Sequence, residues 1–340
     1  VKGVLEKCIN KQQSKLKDLL MAKSQFIESM RTELRTKHYS YATEKSYLHW
    51  VRTFIRFNDY KHPKDMGNSE IERFLNHLAV NRQVSAATQN QALCAIIFMY
   101  RNVIKREIND LAYSFTKRQK TIPTVLSTQE AMLIISNLSG KYRIIASLLF
   151  GAGLRINEAL KLRIKDIDFH NKSIFIFRGK GNKDRCTLLP ENLIVFLQAQ
   201  IEKAKQLHQQ DIRDGFGLTS MPISLIKKYK SAAKDTAWQY IFPSSVRCAH
   251  PQDGYICRHH IHETAFRKQL RLAVKNSGIH KRVTAHTFRH SFATELLRSG
   301  ADIRTVQELL GHNDVKTTEI YTHVIGSKFG YARSPLDLAY

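Results

Sequence analysis

Four side chains near the C-terminal end have types and spacing that suit chemistry on a phosphodiester. His286 and Arg289 are three residues apart, His312 comes later, and Tyr321 follows it by nine residues. Arginine is a planar, permanently charged fork that binds phosphate oxygens bidentately. Histidine moves protons near neutral pH, and a tyrosine hydroxyl can serve as a covalent nucleophile. Together these groups could cleave a phosphodiester without a metal ion.

Local patterns place these four groups on helices and on the turns that end them. An apolar helical pattern puts His286 and Arg289 on one face, one turn apart. Gly300 is expected to end that helix, and Gly311 to end the next one. The histidine of the Gly-His pair is therefore predicted on a turn, and Tyr321 on a short helix after it.

A single histidine or Gly-His turn is usually structural, but the spaced combination is specific. It resembles the C-terminal signature of the tyrosine recombinases, the phage-integrase family, which reads HxLRH, then LGH, then a nucleophilic tyrosine. Phe288 stands where leucine is usual, which is a mild apolar exchange. By this resemblance His286, Arg289 and His312 are catalytic, and Tyr321 is the nucleophile.

Two further segments match the same family. GAGLRINEAL resembles its first-arginine box, which implies that Arg155 clamps phosphate and that Glu158 supports this arginine. Strand-like runs on either side of Gly-Lys-Gly-Asn predict a β-hairpin. Residue type alone leaves Lys180, Lys183 and Arg185 open as the catalytic basic residue of this hairpin. The family pattern implies Lys180, with the other two as DNA contacts.

Composition supports a nucleic-acid partner. The 340 residues carry 54 Lys and Arg against 29 Asp and Glu, a net charge of +25. Such an excess favours a polyanionic partner over a merely basic surface. No apolar run reaches the roughly 18 residues of a spanning helix, and no signal-peptide pattern is visible. Five scattered cysteines indicate reduced thiols. We therefore expect a cytoplasmic, nucleoid-associated bacterial protein without a membrane partner.

The length of 340 residues predicts two domains, and a basic stretch without periodicity around Pro123 predicts the linker between them. The resemblance implies a mainly α fold with a small β-hairpin or sheet, in a two-domain C-clamp of a helical SAM-like core-binding domain and an α+β catalytic domain. The expected boundaries are a basic extension at 1–23, the core-binding domain at 24–114, a linker at 115–126, the catalytic domain at 127–325, and a tail docking in trans at 326–340.

An apparent insertion at about 211–245 resembles the additional helix of the integron integrases, as do the later RHHIHE and RSPLD segments. Aromatic residues beside lysines could stack an unpaired base, although Trp238 could equally be core. RHHIHE could hold a metal, but no HExxH or CxxC frame supports this; DNA contact and plain surface remain open. The candidate DNA contacts here are Lys227, Lys228, Trp238, Tyr240, His259 and His260.

The resemblance implies a site-specific recombinase that acts through a 3′-phosphotyrosine, without metal, ATP or cofactor. His286 could accept the proton of Tyr321, and Lys180 could protonate the leaving 5′ oxygen. The subfamily implies integration and excision of gene cassettes, recognition of a folded single strand through extrahelical bases, and a homotetrameric synapse. The alternative is a recombinase of duplex sites, of the phage or chromosome-dimer-resolving type. A DNA-binding regulator with a degenerate site would lack one of the catalytic residue types, and none is missing from this sequence.

Overall fold

The computed structural model describes residues 24–108, 111, 123–177, 184–221, 223–319 and 321. The chain divides into two compact units, residues 1–120 and 121–340. Several predicted features lie outside the described residues, namely the extension 1–23, most of the linker 115–126, Lys180 and Lys183 at the hairpin tip, and the tail 326–340.

Within the described residues, the first unit is a bundle of four helices, which agrees with the predicted helical domain. They are α1 (Gln25–Thr36), α2 (Tyr41–Phe57), α3 (Asn68–Asn76) and α4 (Ala86–Phe98). Serine hydroxyls begin two of them: Ser40 accepts the Thr43 N–H at 3.1 Å, and Ser85 caps α4 in the same way. Phe54 and Phe74 meet edge to face in the core, with ring centroids 5.4 Å apart.

The second unit begins with three helices and a small sheet and ends with three further helices. Its elements are α5 (Thr128–Ser136), α6 (Gly140–Gly151), α7 (Ile156–Lys161), β1 (Ile167–Asp168), β2 (Ser173–Ile176), β3 (Arg185–Leu188), α8 (Ile194–Arg213), α9 (Ile223–Tyr229), β4 (Pro243–Ala249), β5 (Ile256–His260), α10 (Glu263–Asn276), α11 (Ala285–Arg298) and α12 (Ile303–Leu310).

Two antiparallel sheets lie in this second unit. The first has the order β1-β2-β3, and its β2–β3 pair, with Ile174 opposite Thr187, confirms the predicted hairpin strands. The second sheet pairs β4 with β5, with an irregular register between Pro243 and Arg247. The sequence analysis predicted no strand in this second region. Its exposed, mixed side chains give little of the alternation that marks a half-buried strand.

The core of the second unit fixes the ends of the elements that carry the predicted site residues. Leu148 and Leu149 of α6, Ile174 of β2 and Phe288 of α11 are fully buried in one cluster. Burying a side chain of this size contributes about 1.5–3 kcal/mol. None of the helices that the structure describes is long and apolar enough to cross a membrane.

Candidate active site

A buried carboxylate forms the base of the site. Glu158 lies in the first turn of α7 and accepts hydrogen bonds from both the backbone N–H and the Nη1 of Arg155, each at 2.8 Å. Arg185 of β3 binds the same carboxylate through Nη1 and Nη2, at 3.0 and 2.7 Å. Burial alone would raise the pKa of Glu158, but the hydrogen bonds and charges of Arg185 and Arg155 lower it to about 2. The carboxylate therefore stays ionised and holds both arginines in place.

Arg185 has an internal role instead of the predicted DNA contact. Its side chain is 9% exposed, and its Nε donates to the Leu309 carbonyl at 3.0 Å. Its two terminal nitrogens are directed to Glu158. The hairpin strand β3 is thus joined to the C-terminal end of α12. Sequence spacing could not show this, because the bonded residues are far apart in the chain.

Arg289 lies on α11 and points into the interior, with 3% of the residue exposed. Its Nη1 donates to the carbonyl of Gly153 and its Nη2 to the carbonyl of Leu310. Nη2 also lies 3.3 Å from Nε2 of His312. Burial, together with the nearby charge of Arg155, lowers the pKa of Arg289 to about 9, so the guanidinium remains charged at neutral pH.

His312 lies on the predicted turn, because Gly311 ends α12 in the left-handed conformation with φ of 62°. An arginine nitrogen can only donate, so Nε2 of His312 accepts from Arg289. Nδ1 of His312 then donates to Oγ1 of the buried Thr318, which lies 3.0 Å away. Burial, reinforced by the charge of Arg289, lowers the pKa of His312 to about 3. The ring is therefore neutral and fixed on both sides.

Tyr321 is 2% exposed, and its ring stacks near His312 with centroids 6.3 Å apart. Its hydroxyl lies 2.9 Å from Nδ1 of His290. Burial raises the pKa of Tyr321, while the charges of Arg289 and Arg155 act in the opposite direction. The structure thus places the predicted nucleophile, Tyr321, close enough to Arg155 and Arg289 for their charges to act on its hydroxyl.

His290 is the residue that the sequence analysis missed. Burial, with help from the neighbouring His286 and Arg289, lowers its pKa to about 4, so its imidazole is neutral near pH 7. His286, which was the predicted proton acceptor, is exposed on α11, and its ring centroid lies 6.4 Å from that of His290. The sequence feature that could have identified His290 is its place as the last residue of His-Thr-Phe-Arg-His, directly after Arg289.

A cavity of about 420 Å³ opens beside these groups, between β3, α12 and the turn after it. Arg185, Gly311 and His312 form part of its wall, and so does Asp184. Asp184 is also the first described residue after the hairpin tip that carries Lys180 and Lys183.

The predicted aromatic contact Tyr240 is a structural residue of the second unit. It is 6% exposed, and its hydroxyl donates to the Ser220 carbonyl at 3.2 Å. The guanidinium carbon of Arg163 lies 4.4 Å from the ring centroid. Both the face and the hydroxyl of this tyrosine therefore have protein partners, which corrects the expectation that it stacks a base.

Trp238 and the lysines of α9 are more accessible. Trp238 is half-buried, with the Lys165 ammonium 3.8 Å from its ring centroid and the exposed Tyr229 ring 6.2 Å away. Lys227 and Lys228 are exposed on α9. Of the predicted contacts in the insertion, these three residues keep surface that a ligand could reach.

His259 and His260 have protein partners on the second sheet. Nε2 of His259 lies 2.9 Å from the Ser220 hydroxyl, and Nδ1 of His260 donates to the Ile261 carbonyl at 2.7 Å. Burial lowers the pKa of both rings, that of His260 to about 4. His259 thus joins β5 to the preceding segment through Ser220, whereas His260 bonds to its neighbour in the chain. Both side chains are partly exposed, and their predicted contacts with DNA stay predictions. Among the described residues, no group of three or more His, Cys, Asp or Glu side chains is arranged to hold a metal ion.

Comparisons with known proteins match this geometry. The phage integrase family model covers residues 118–327, and the N-terminal SAM-like domain of phage integrases covers residues 26–110. An integrase/recombinase of Escherichia coli is 43% identical, over 92% of this chain and 93% of its own. The tyrosine recombinase XerD of Rickettsia bellii is 28% identical, over 88% and 93%. The Tn1549 transposon integrase in complex with transposon right end DNA shares the fold, with a TM-score of 0.59 at 17% identity over 93% and 97%.

The fold and the site together define a tyrosine recombinase, an enzyme that cuts and rejoins DNA. The chain belongs to the phage integrase family. It is a site-specific recombinase of the integrase and XerD type, with a SAM-like domain at its N-terminal side and the catalytic domain after it.

Proposed function

We propose that Tyr321 is the nucleophile of this recombinase and forms a 3′-phosphotyrosine with the cut strand. The observation that carries the proposal is that the buried Tyr321 lies close to His312, which in turn contacts Arg289. The two rings have centroids 6.3 Å apart, and the histidine lies 3.3 Å from the guanidinium. A phosphodiester reaching the Tyr321 hydroxyl would meet the guanidinium groups that already act electrostatically on it.

The chemical roles follow from the charge that develops during attack. The Tyr321 oxygen forms a bond to phosphorus, and the bond from phosphorus to the 5′ oxygen breaks. Arg155 and Arg289 hold the non-bridging oxygens, where negative charge grows, and His312 supports them. Glu158 positions Arg155 but does not touch the reacting atoms. Such fixed donors are typically worth about 3–4 kcal/mol each in a transition state.

The leaving 5′ oxygen needs a proton, and Lys180 is proposed to supply it. The support for this assignment is the family pattern of the hairpin and the position of the flanking strand β3, whose Arg185 is bound to Glu158. The covalent link conserves the energy of the phosphodiester, so a 5′ hydroxyl can reverse the step without ATP. On this mechanism neither a metal ion nor a cofactor takes part, and cleavage should proceed unchanged in EDTA.

We propose that the domains act as the resemblance implies, with both 24–114 and 127–325 binding DNA. The net charge of +25 supports a polyanionic partner. The tail at 326–340 is proposed to dock on a neighbouring protomer, within a tetramer that joins two DNA sites. These features rest on the family resemblance.

The finer proposal is that the DNA includes a folded single-stranded cassette site, as in the integron integrases. It is supported by the inserted segment with its exposed Lys227 and Lys228 and by the accessible part of Trp238. The alternative, a recombinase of duplex sites, fits the XerD relative equally well. Covalent trapping separates the two, because only the first predicts preference for the folded strand.

A suicide substrate, nicked so that the cut is irreversible, tests both levels of the proposal. The enzyme is incubated with the folded single strand or with duplex DNA, and the trapped adduct is digested and identified by mass spectrometry. Attachment at Tyr321 supports the nucleophile assignment, and attachment elsewhere overturns it. Equal trapping on both substrates would favour the duplex recombinase.

A further inference from the structure

We propose that His290 is the group that accepts the proton of Tyr321 during strand cleavage. The inference rests on the proposed role of Tyr321 as nucleophile and goes beyond it. Its starting point is the 2.9 Å separation between Nδ1 of His290 and the Tyr321 hydroxyl oxygen. This is a hydrogen-bonding distance, and it brings an ionisable side chain into direct contact with the hydroxyl.

The surroundings of His290 keep its ring unprotonated, so that Nδ1 is available to accept a proton. Its ring is neutral near pH 7 because burial lowers its pKa to about 4. Burial also keeps Tyr321 protonated, so a neutral hydroxyl faces a neutral ring. In the tautomer with hydrogen on Nε2, Nδ1 has a free lone pair for the hydroxyl hydrogen. The titratable and charged groups around His290 are His286 and Arg289 on its own helix, and Tyr321 and His312 across from it.

Helix geometry connects this acceptor with the phosphate clamp. His290 follows Arg289 on α11, and successive residues of a helix point in directions about 100° apart. Arg289 therefore reaches inward to Gly153 and Leu310, while its neighbour reaches the tyrosine. The same helix therefore positions both the proposed phosphate clamp and the proposed proton acceptor.

A bound phosphodiester makes the proton transfer easier. Its negative charge favours the imidazolium form of a nearby histidine, and attack on phosphorus makes the phenol proton more acidic. The proton leaves the Tyr321 oxygen for Nδ1 as the oxygen–phosphorus bond forms and the bond to the 5′ oxygen breaks. In the rejoining step the imidazolium of His290 returns this proton to the departing tyrosine oxygen.

The variants His290→Asn and His290→Gln test this proposal in the full-length enzyme. Asparagine keeps an acceptor near the position of Nδ1 but cannot take a proton, and glutamine removes the acceptor from that position. We expect both to slow cleavage of the suicide substrate by about 10²–10⁴-fold at saturating DNA, the usual range for a general base. DNA affinity should change by less than about twofold. His280→Asn, which changes an exposed histidine outside the site, should leave the rate unaltered.

A substrate with sulfur in place of the bridging 5′ oxygen distinguishes loss of the proton donor to the leaving group from loss of the proton acceptor for Tyr321. A thiolate leaves without needing a proton, so this substrate should rescue Lys180→Ala but not His290→Asn. The variant's rate should also rise about tenfold per pH unit between pH 7 and 9, since only ionised tyrosine would attack unaided. A histidine with a purely structural role would lower the rate equally at every pH.

Three results would overturn the assignment. They are rescue of His290→Asn by the sulfur substrate, a pH profile parallel to that of the unaltered enzyme, and normal cleavage in both variants. The nucleophile assignment fails separately, through adduct formation by Tyr321→Phe. If one variant loses DNA binding through misfolding, the other supplies the same comparison.

Discussion

Two clusters in the second unit contain nearly the same side chains but are bonded differently. We refer to them as the active-site cluster and the insertion cluster. Each has an arginine, two histidines and a buried tyrosine. The active-site cluster consists of Arg289, His290, His312 and Tyr321, and the insertion cluster consists of Arg163, His259, His260 and Tyr240.

The hydrogen-bond partners distinguish the two clusters. In the insertion cluster Arg163 donates to the carbonyls of Ser220 and Trp238, and the Tyr240 hydroxyl donates to Ser220 as well. In the active-site cluster the tyrosine hydroxyl instead meets an imidazole. A backbone carbonyl is a fixed acceptor that does not exchange protons, whereas an imidazole can take one. The first arrangement stabilises the fold, and the second can support chemistry.

Removal of the two tyrosine hydroxyls should give the largest contrast. Tyr321→Phe should bind DNA but form no SDS-stable adduct, a loss of more than about 10⁴-fold, because the nucleophile is gone. Tyr240→Phe should cleave at the normal rate at saturating DNA and lose about 1 kcal/mol of unfolding free energy with its hydrogen bond. Adduct assays and chemical unfolding check both. A normal adduct yield from Tyr321→Phe would show that Tyr321 is not the nucleophile and that the two tyrosines do not differ in this respect.

A second contrast uses two buried carboxylates that each bind two arginines. Glu158 holds Arg155 and Arg185, and Asp211 of α8 holds Arg247 and Arg258. Glu158→Gln and Asp211→Asn should each cost about 3–5 kcal/mol of unfolding free energy, since buried charges lose their partner. Only the first should slow cleavage, by about 10–100-fold, because it alone positions a phosphate clamp. Equal cleavage by both variants would contradict this.

The pH dependence of stability tests whether Glu158 is ionised in the folded protein. The pKa of Glu158 is about 2 in the folded protein, below the value of about 4.3 expected in the unfolded chain. Its contribution is therefore fully present above about pH 4.3 and is lost as the pH falls towards 2. The unfolding free energies of the native protein and Glu158→Gln should converge over that range. A constant difference down to pH 2.5 would show that the carboxylate is not held in its ionised form.

Two glycines with left-handed backbones give a smaller contrast. A Cβ at Gly311 would lie 2.7 Å from Cδ of Arg185, whereas a Cβ at Gly254, in the β4–β5 connection, would meet open space. Each alanine should cost about 1–2 kcal/mol for its positive φ. Gly311→Ala should in addition shift Arg185 and slow cleavage by about tenfold, a typical cost of small displacements at a site. Cleavage by Gly254→Ala serves as the control.

The smallest expected effect concerns the insertion. Trp238→Ala should weaken binding to a folded single strand by about 5–150-fold, the range for loss of one stacked base, with less than about twofold change on a duplex. The measurement is a titration of each DNA against correctly folded protein, at one salt concentration. Equal losses on both substrates would indicate that Trp238 acts only through its contacts with Lys165 and Tyr229.

The sequence allowed prediction of those features that depend on local spacing. The four-helix bundle, the β2–β3 strands and the helix ends at Gly300 and Gly311 follow from periodicity and from residues that favour turns. The candidate site residues on α11 and after α12 were found because their spacing is characteristic. Their catalytic roles stay predictions until the cleavage assays are made.

The remaining features depend on contacts between distant segments. Arg185 looked like one of three basic residues on a hairpin, and only the fold shows it bound to Glu158. Tyr240 and His259 looked available for DNA because their partner, Ser220, lies in another segment. His290 was passed over because nothing local distinguishes a histidine that meets the tyrosine from one that is simply packed.

The contact between Tyr321 and His290 also has a consequence for assembly. Both residues belong to the same polypeptide, so under the proposed mechanism each subunit uses its own Tyr321 together with its own arginines. Mixing a subunit that lacks Tyr321 with one that lacks Arg289 should therefore give no working hybrid site. In a mixed complex the number of strands cut would equal the number of intact subunits, and each subunit could be silenced individually by substitution.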